Sequence, residues 1–257
     1  MIDESLQAAV CLLRCATYPV ALTGAGISTH SGIPDFRSPN SGLWEHSNPA
    51  EVASLYGFKH HPERFYDWIR PLAYLILDAV PNAAHLALAQ LEARGKLKSI
   101  VTQNIDMLHF YAGSQNVYEL HGHLREVTCI HCFKVFPARP YILAFLETDI
   151  LPRCPDCGDA LKPNVILLGE QLPAQALIAA RREARRCDAM LVVGSSLEVY
   201  PAADLPVIAH QSGAALIFIN LSETRLDSMA QVVIHGDVIE VLPQLAAAME
   251  HDDDDFC

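Results

Sequence analysis

Val20-Ala21-Leu22-Thr23-Gly24-Ala25-Gly26-Ile27-Ser28-Thr29-His30-Ser31-Gly32-Ile33-Pro34-Asp35-Phe36-Arg37-Ser38 is the stretch that decides the fold. Val20 to Thr23 is a short apolar run that reads as a buried strand and ends on a glycine turn. Glycines there let the chain turn sharply and bring backbone amides close to a diphosphate, with a helix N-terminus behind. Gly24 and Gly26 match the first two glycines of G-x-G-x-x-G, but Thr29 occupies the third position. No strand ending in Asp or Glu follows ~20 residues later, where dehydrogenases grip a ribose; Glu45 falls in a Trp/Asn/Pro-rich loop. The motif predicts a dinucleotide site, held in an unusual way.

Working outward, short apolar strands alternate with amphipathic helices. Helical patterns run from Ser5 to Ala16, from Pro62 to Ala79, and from an Asn82 cap to Arg94, closed by Gly95. Ser99–Thr102, Asn164–Leu168, Ala189–Val193 and Ala215–Ile219 read as buried strands, with helices at about Ala174–Arg186 and Asp204–Gln211. Such alternation indicates βαβ units and a parallel sheet covered on both faces. The expected fold is α/β: a Rossmann-like parallel-sheet domain with a smaller domain, zinc-binding and helical, formed by two insertions. Residues 1–40, 81–123 and 162–257 are assigned to the dinucleotide-binding domain, 41–80 to the helical insertion and 124–161 to the zinc-ribbon insertion.

The second insertion is marked by cysteines. Cys129-x-x-Cys132 and Cys154-x-x-Cys157 are two pairs separated by 21 residues, the spacing of a zinc site. Two facing turns offer four thiolates in a tetrahedron, which leaves no position for water, so a single zinc per chain is expected to be structural. His131 lies inside the first pair as a competing donor. Cys11, Cys15 and Cys187 sit in apolar contexts and are expected in the core, and Cys257 has no assigned chemistry.

Composition bounds the partners. The chain has 257 residues, 51% of them apolar, and a formal net charge of −12, of which Asp252–Asp255 supply −4. That balance argues against general affinity for nucleic acid or an anionic membrane. No apolar run approaches the ~18 residues of a membrane span; Leu72–Leu77 stops at Asp78. The acidic start, Met1 to Ser5, is unlike the basic opening of a secretory signal. A soluble cytoplasmic protein is the expectation.

Polar clusters recur where the predicted strands end: Thr102-Gln103-Asn104-Ile105-Asp106, His121-Gly122, Gly194-Ser195-Ser196 and Asn220. The carboxyl ends of parallel strands are where ligands bind in such sheets.

With these residues in view, the chain resembles the sirtuins, NAD-dependent protein-lysine deacylases. The likeness is carried by GAGISTHSGIPDFRS (24–38), TQNID (102–106), HG (121–122), the paired cysteines, KPNVILLGE (162–170), GSSLEVYP (194–201) and IN (219–220). It implies NAD as co-substrate, with the lysine's acyl group passing to ADP-ribose as nicotinamide leaves. His121 would be the general base, a task suited to imidazole, whose pKa of ~6.5 lies near the working pH. Asn104 and Asp106 would orient ribose and nicotinamide, with Gln103 on the same ribose. Gly24, Ala25, Gly26, Asp35, Phe36 and Arg37 would line the nicotinamide and diphosphate side, Phe36 screening the reactive carbon from water. Gly194, Ser195, Ser196 and Asn220 would hold the adenosine half, and Val238 would offer its backbone to adenine. An acyl-lysine peptide would pair as an added strand with Val165, Ile166, Leu167, Leu168, Gly169 and Glu170 on one side and Leu197, Glu198 and Val199 on the other. The sequence leaves the oligomeric state open, a monomer among the options.

Two departures matter. An aromatic is expected before Gly-Glu, and Leu167-Leu168 stands before Gly169-Glu170. Desuccinylating relatives carry Tyr-x-x-Arg, whereas Tyr66-Asp67-Trp68-Ile69 places Ile69 where the arginine would be, with Arg70 one position off. Neutral acyl groups, acetyl above succinyl, are therefore expected. The alternatives are a mono-ADP-ribosyltransferase, a nicotinamide-dependent oxidoreductase, disfavoured by the missing third glycine and ribose carboxylate, and a non-enzymatic zinc-ribbon binding module.

Overall fold

The computed structural model describes residues 4–35 and 49–250. Helix α1 (Glu4–Cys15) buries Leu6, Ala9, Val10 and Leu13, the spacing of a helix with one apolar face. Strand β1 (Pro19–Thr23) is buried along its length and passes into a 3₁₀ turn over Ala25–Ser31. Then come α2 (Pro49–Val52), α3 (Leu55–His60), α4 (Pro62–Asp78) and α5 (Ala83–Ala93). The Asn82 side chain caps α5 by accepting from the amides of Ala84 and His85, an interaction worth ~1 kcal/mol. Next are β2 (Ser99–Thr102), α6 (Leu108–Tyr111), β3 (Val117–Glu119), β4 (Gly122–Cys129), β5 (Val135–Pro137), α7 (Ala138–Thr148) and β6 (Leu161–Val165). The chain continues with α8 (Ala174–Arg186), β7 (Ala189–Val193), α9 (Leu205–Gln211), β8 (Ala215–Asn220), β9 (Val232–His235) and α10 (Val238–Ala248).

Six strands form a parallel sheet in the order β3-β2-β1-β7-β8-β9. Side chains alternate across it as the two-residue period requires. Ala21, Ile100, Leu191 and Ile217 join the core beneath α1, α5 and α10. Val20, Leu22, Val101, Val192 and Phe218 join the core beneath α8 and α9. From β1 the chain builds outward to β2 and β3; from β7 it builds the other way, to β8 and β9. The order therefore reverses between β1 and β7, and a crevice opens beyond their carboxyl ends.

A second sheet, β5-β4-β6, is antiparallel. Its core holds Val127, Cys129, Cys154 and Leu161 together with Phe58, Phe65, Tyr66 and Ile69 of the helical stretch and Phe145 of α7. The Tyr66 hydroxyl donates to the Leu161 carbonyl at 2.6 Å. The helical and cysteine-bearing stretches thus share one core. The small sheet reaches from Gly122 to Val165, past both ends of the 124–161 segment.

Three readings of the sequence change. Asn164–Leu168 is not a strand of the parallel sheet: β6 ends at Val165 and pairs with β4, and Leu168 pairs instead with Ser54. An apolar run of that length signals burial but not its partner. Strands β3 and β9 and helix α10 were not read from the sequence; β3 is only partly buried, so its apolar signal is weak. Cys15 is exposed and Cys11 half-buried rather than in the core, while Cys187 is buried.

The sheet's centre rests on one close contact. A Cβ on Gly194 would stand 2.4 Å from the Ile27 nitrogen, and Gly194 has φ +58°. Gly194→Ala should therefore cost ~3 kcal/mol in denaturant unfolding, through clash and left-handed backbone together. A loss under ~0.5 kcal/mol, typical of unconstrained surface sites, would contradict the contact.

Candidate functional site

The turn after β1 and the turn after β7 meet backbone to backbone. Gly24 N donates to Val193 O at 3.1 Å and Gly26 N to Gly194 O at 2.9 Å. A Cβ on Gly24 would lie 2.8 Å from Gly194 O, and one on Gly26 2.9 Å from Gly194 Cα. The glycines of the first motif and Gly194 of the fourth are thus parts of one packed joint. Ala25 lines a pocket in front of it, with Ser28, Ile33, Pro34, Leu72, Ile76, Asn104, Ile105 and Asp106.

The 102–106 turn enters from β2. Gln103 N donates to Thr23 O at 3.0 Å, and its side-chain Nε2 donates to Ser195 Oγ at 2.9 Å. Asn104 Nδ2 donates to Gly24 O at 3.1 Å and to Ser28 Oγ at 3.0 Å. Ser28 Oγ in turn donates to Asp106 Oδ2 at 2.6 Å, and Asp106 Oδ1 accepts the Leu108 amide at 2.9 Å. Burial raises the pKa of Asp106 above its ordinary value despite these donors.

His121 lies beside this turn. Its Nδ1 is 2.9 Å from the Gln103 carbonyl. A carbonyl only accepts, so Nδ1 carries the hydrogen and Nε2 is a bare lone pair. That Nε2 is buried and has no protein partner. Burial lowers the pKa of His121, and the Gln103 bond opposes the shift, so the ring is neutral at pH 7. Gly122 makes the site's other close approach: with φ +76°, its Cβ would sit 2.0 Å from Asn164 O.

On the far side of the joint, Asn220 Oδ1 accepts the Ser195 amide at 2.8 Å, and Asn220 Nδ2 is buried without a partner. Ser196 is exposed. Val238 starts α10 with its side chain in the core, so only its backbone is available to a ligand. Asp35 is partly buried. Phe36 and Arg37 lie outside the described residues. The glycine joint and the two orphan nitrogens, His121 Nε2 and Asn220 Nδ2, are what a bound dinucleotide would fill and satisfy.

The expected peptide strand is only partly available. Leu168 N donates to Ala53 O at 2.8 Å and Leu168 O accepts from Leu55 N at 3.0 Å. Ile166 N donates to His121 O, and Leu167 N to the Glu170 carboxylate. Leu168 therefore cannot pair with an incoming strand, because both its backbone groups are spent on the helical stretch. Gly169, Glu198 and Val199 are exposed, whereas Val165, Leu167 and Leu197 are buried. Lys162 Nζ braces the loop, reaching Val165 O at 2.7 Å and Glu170 Oε2 at 3.0 Å.

Two buried residues that matter here, His85 and His109, were absent from the sequence reading of the site, and Thr23 and Ser28, also buried, stood in its first motif without an assigned role. The only signal for His85 was its place three residues after the Asn82 cap; His109 had none.

The four paired cysteines come together with all sulfurs within 4.8 Å of one another. Cys129 and Cys157 Sγ are 3.4 Å apart, and Cys132 and Cys154 Sγ 3.6 Å. Four sulfurs at ~2.3 Å from one zinc stand ~3.8 Å apart, so the set fits a tetrahedral ion. Burial opposes a charge on Cys129, but the amides of Cys132 and His131 donate to it and bring its pKa down to about 6. His131 is exposed and faces Asp159 at 3.7 Å, outside the sulfur cluster.

The profile described as the Sir2 family matches residues 24–201. The chain belongs to the Sir2 family. An NAD-dependent protein deacetylase of Thermodesulfovibrio yellowstonii is 44% identical over 234 residues, 91% of each chain. An NAD-dependent protein deacylase 2 of Archaeoglobus fulgidus is 44% identical over 244 residues, 95% of each chain. Among solved structures, one from work on the mechanism and regulation of Sir2 enzymes superposes with a TM-score of 0.91 at 42% identity, covering 97% of this chain and 99% of that one. A Sir2–p53 peptide–NAD+ complex gives 0.86 at 41% identity, covering 94% and 97%.

Two predictions follow from this site. Cys129→Ala should lose zinc by metal analysis and lower Tm by about 10 °C, since a structural zinc contributes folding energy directly; an unchanged melt would remove the structural role. The second concerns acid. Burial depresses His85 to about 4 and His109 well below its ordinary value. Between pH ~6.5 and 4 the unfolded chain then binds protons that the folded chain refuses, so stability falls as pH drops, by up to ~1.4 kcal/mol per pH unit for each histidine. Urea unfolding of His85→Gln should show a shallower fall than the parent; identical slopes would mean the unfolded and folded values coincide.

Proposed function

We propose that the chain is an NAD-dependent protein-lysine deacylase that prefers neutral acyl groups, acetyl foremost. The observation that carries this is His121, whose Nδ1 hydrogen is spent on the Gln103 carbonyl and whose Nε2 is bare. It stands next to a turn that presents Asn104 and Asp106 to an otherwise apolar pocket. Bound across the strand ends, NAD supplies the ribose carbon that receives the acyl oxygen as nicotinamide leaves.

The chain's own residues do the rest. Asn104 and Asp106, tied to Ser28, orient the nicotinamide ribose. Ile33, Leu72 and Ile76 keep that pocket apolar and so hold water away from the reacting carbon. His121 Nε2, neutral because it is buried, takes a proton from the ribose hydroxyls. Ser195 and Asn220 hold the adenosine half, with Asn220 Nδ2 free to donate. The four thiolates would hold a structural zinc that secures the small sheet. Relatives named deacetylases and deacylases, and solved Sir2 complexes with p53 and propionylated peptides, support the same substrate class. The peptide would pair with Gly169 and with Glu198–Val199, since both backbone groups of Leu197 are bonded within the chain.

Acyl preference rests on helix α4. The Tyr66 hydroxyl is committed to Leu161 O, and Ile69 is buried. Arg70 pairs with Asp149 and Asp67 and lies 4.3 Å over the Phe145 ring. Neither a free tyrosine hydroxyl nor Arg70 is available to grip an acidic acyl group.

The test is incubation with NAD and matched acetyl- and succinyl-lysine peptides, following nicotinamide and O-acyl-ADP-ribose by mass. Acetyl peptide should turn over faster, and His121→Ala should lose at least ~100-fold, the lower end of general-base contributions. Equal activity in the variant rejects the base, faster desuccinylation rejects the preference, and ADP-ribosylated protein as the main product rejects the deacylase reading.

A further inference from the structure

Two buried histidines to which the proposed reaction assigns no step pack near the 102–106 turn. His109 is 2% exposed and His85 0%, and their rings meet edge to face with centroids 5.0 Å apart. His85 reaches Ser28 Oγ at 3.4 Å. His109 leads elsewhere. Its Nε2 is 2.9 Å from Thr23 Oγ1, Thr23 Oγ1 donates to Thr102 Oγ1 at 2.9 Å, and Thr102 Oγ1 accepts the Asn104 backbone N–H at 3.1 Å.

The Thr23-to-Thr102 hydrogen bond gives this chain a direction. Thr23 has one hydroxyl hydrogen and gives it to Thr102, so toward His109 it must accept. His109 Nε2 therefore carries the ring hydrogen, and Nδ1, buried without a partner, is a bare lone pair. The other tautomer would bury an N–H with no acceptor, leaving a donor unsatisfied. Burial, with His85 alongside, also keeps the ring neutral, and a neutral ring has only one hydrogen to place.

We propose that His109 is a positioning residue for the reaction, which acts through Thr23 and Thr102 to hold the Asn104 backbone and so aims the Asn104 side chain at the cofactor. The geometry of α6 fits this role. The helix is four residues long; Asp106 accepts the Leu108 amide at its front, and His109 anchors the same turn from behind. A core residue needed only for volume would not require a donor at this point. The inference rests on the deacylase reading of the pocket, but its first test does not depend on turnover.

That test is hydrogen exchange of the Asn104 backbone amide in the full chain, in the parent, H109L, T23V and H109Q. Glutamine can place an N–H near the position of Nε2; leucine cannot. Thr23→Val keeps the shape of Thr23 and removes only the hydroxyl, so it stands in if H109L folds poorly. Asn104 exchange should speed up about tenfold in H109L and T23V and return to near the parent rate in H109Q. In turnover, H109L and T23V should each lose roughly tenfold in kcat/KM for NAD, with a raised KM, as expected of a misplaced orienting group. The T23V/H109L double variant should be no worse than either single, because both break one chain. ADP-ribose affinity should stay within about twofold of the parent, since Ser195 and Asn220 are untouched; a smaller active fraction would lower kcat without moving KM. An Asn104 amide unaffected by H109L and T23V, additive losses in the double variant, or an H109Q as poor as H109L would overturn the proposal. A parent that releases no nicotinamide would count against the deacylase reading, while the exchange result would still decide the role of His109.

Discussion

Two turns can touch only where neither carries a side chain, and in this protein that contact is between Gly24-Ala25-Gly26, after β1, and Gly194, after β7. The Gly26 amide bonds the Gly194 carbonyl at 2.9 Å, and a Cβ on any of the three glycines would come within 3.0 Å of the opposite backbone. The contact lies where the strand order reverses. It sets the depth of the crevice, and it brings polar groups from three separate parts of the chain to one place. Gln103 reaches from β2 to Ser195 after β7, and Asn220 reaches from β8 to the same serine. Without the glycine joint these bonds would have no common origin.

The joint also explains why the glycine motif departs from the dehydrogenase pattern. Its second glycine packs against another loop, so the third position is free to be Thr29, whose hydroxyl bonds back to Gly26 O at 3.1 Å. The turn after β2 carries Gln103, Asn104 and Asp106, the last tied to Ser28 of the first motif. The pocket has more apolar lining than formal charge, with Asp106 as its one acidic group.

Much of the fold was legible because periodicity and capping act locally. Val20–Thr23, Ala189–Val193 and Ala215–Ile219 read as buried strands from their length and apolarity, and Asn82 as a helix cap. The cysteine spacing was equally explicit, since a metal demands ligands at fixed separation. Asn164–Leu168 misled for a physical reason: apolarity reports that a segment is covered, not by which neighbour. Its partner proved to be β4 and then Ser54, and that pairing removes Leu168 from the surface offered to a peptide. Cys15 misled similarly, as an apolar neighbourhood in sequence did not place it on the buried face of α1.

The sequence by itself determined the family, the pairing of glycine turn with strand, the zinc ligands and the polar residues at the strand ends, because each is a short pattern whose chemistry depends on residues close together in the chain. Only the tertiary structure decided what His121 and His109 bond to: His121 Nδ1 meets a carbonyl 18 residues away, and His109 Nε2 meets a threonine hydroxyl 86 residues away. Hydrogen bonds across such separations leave no periodicity or spacing behind in the sequence.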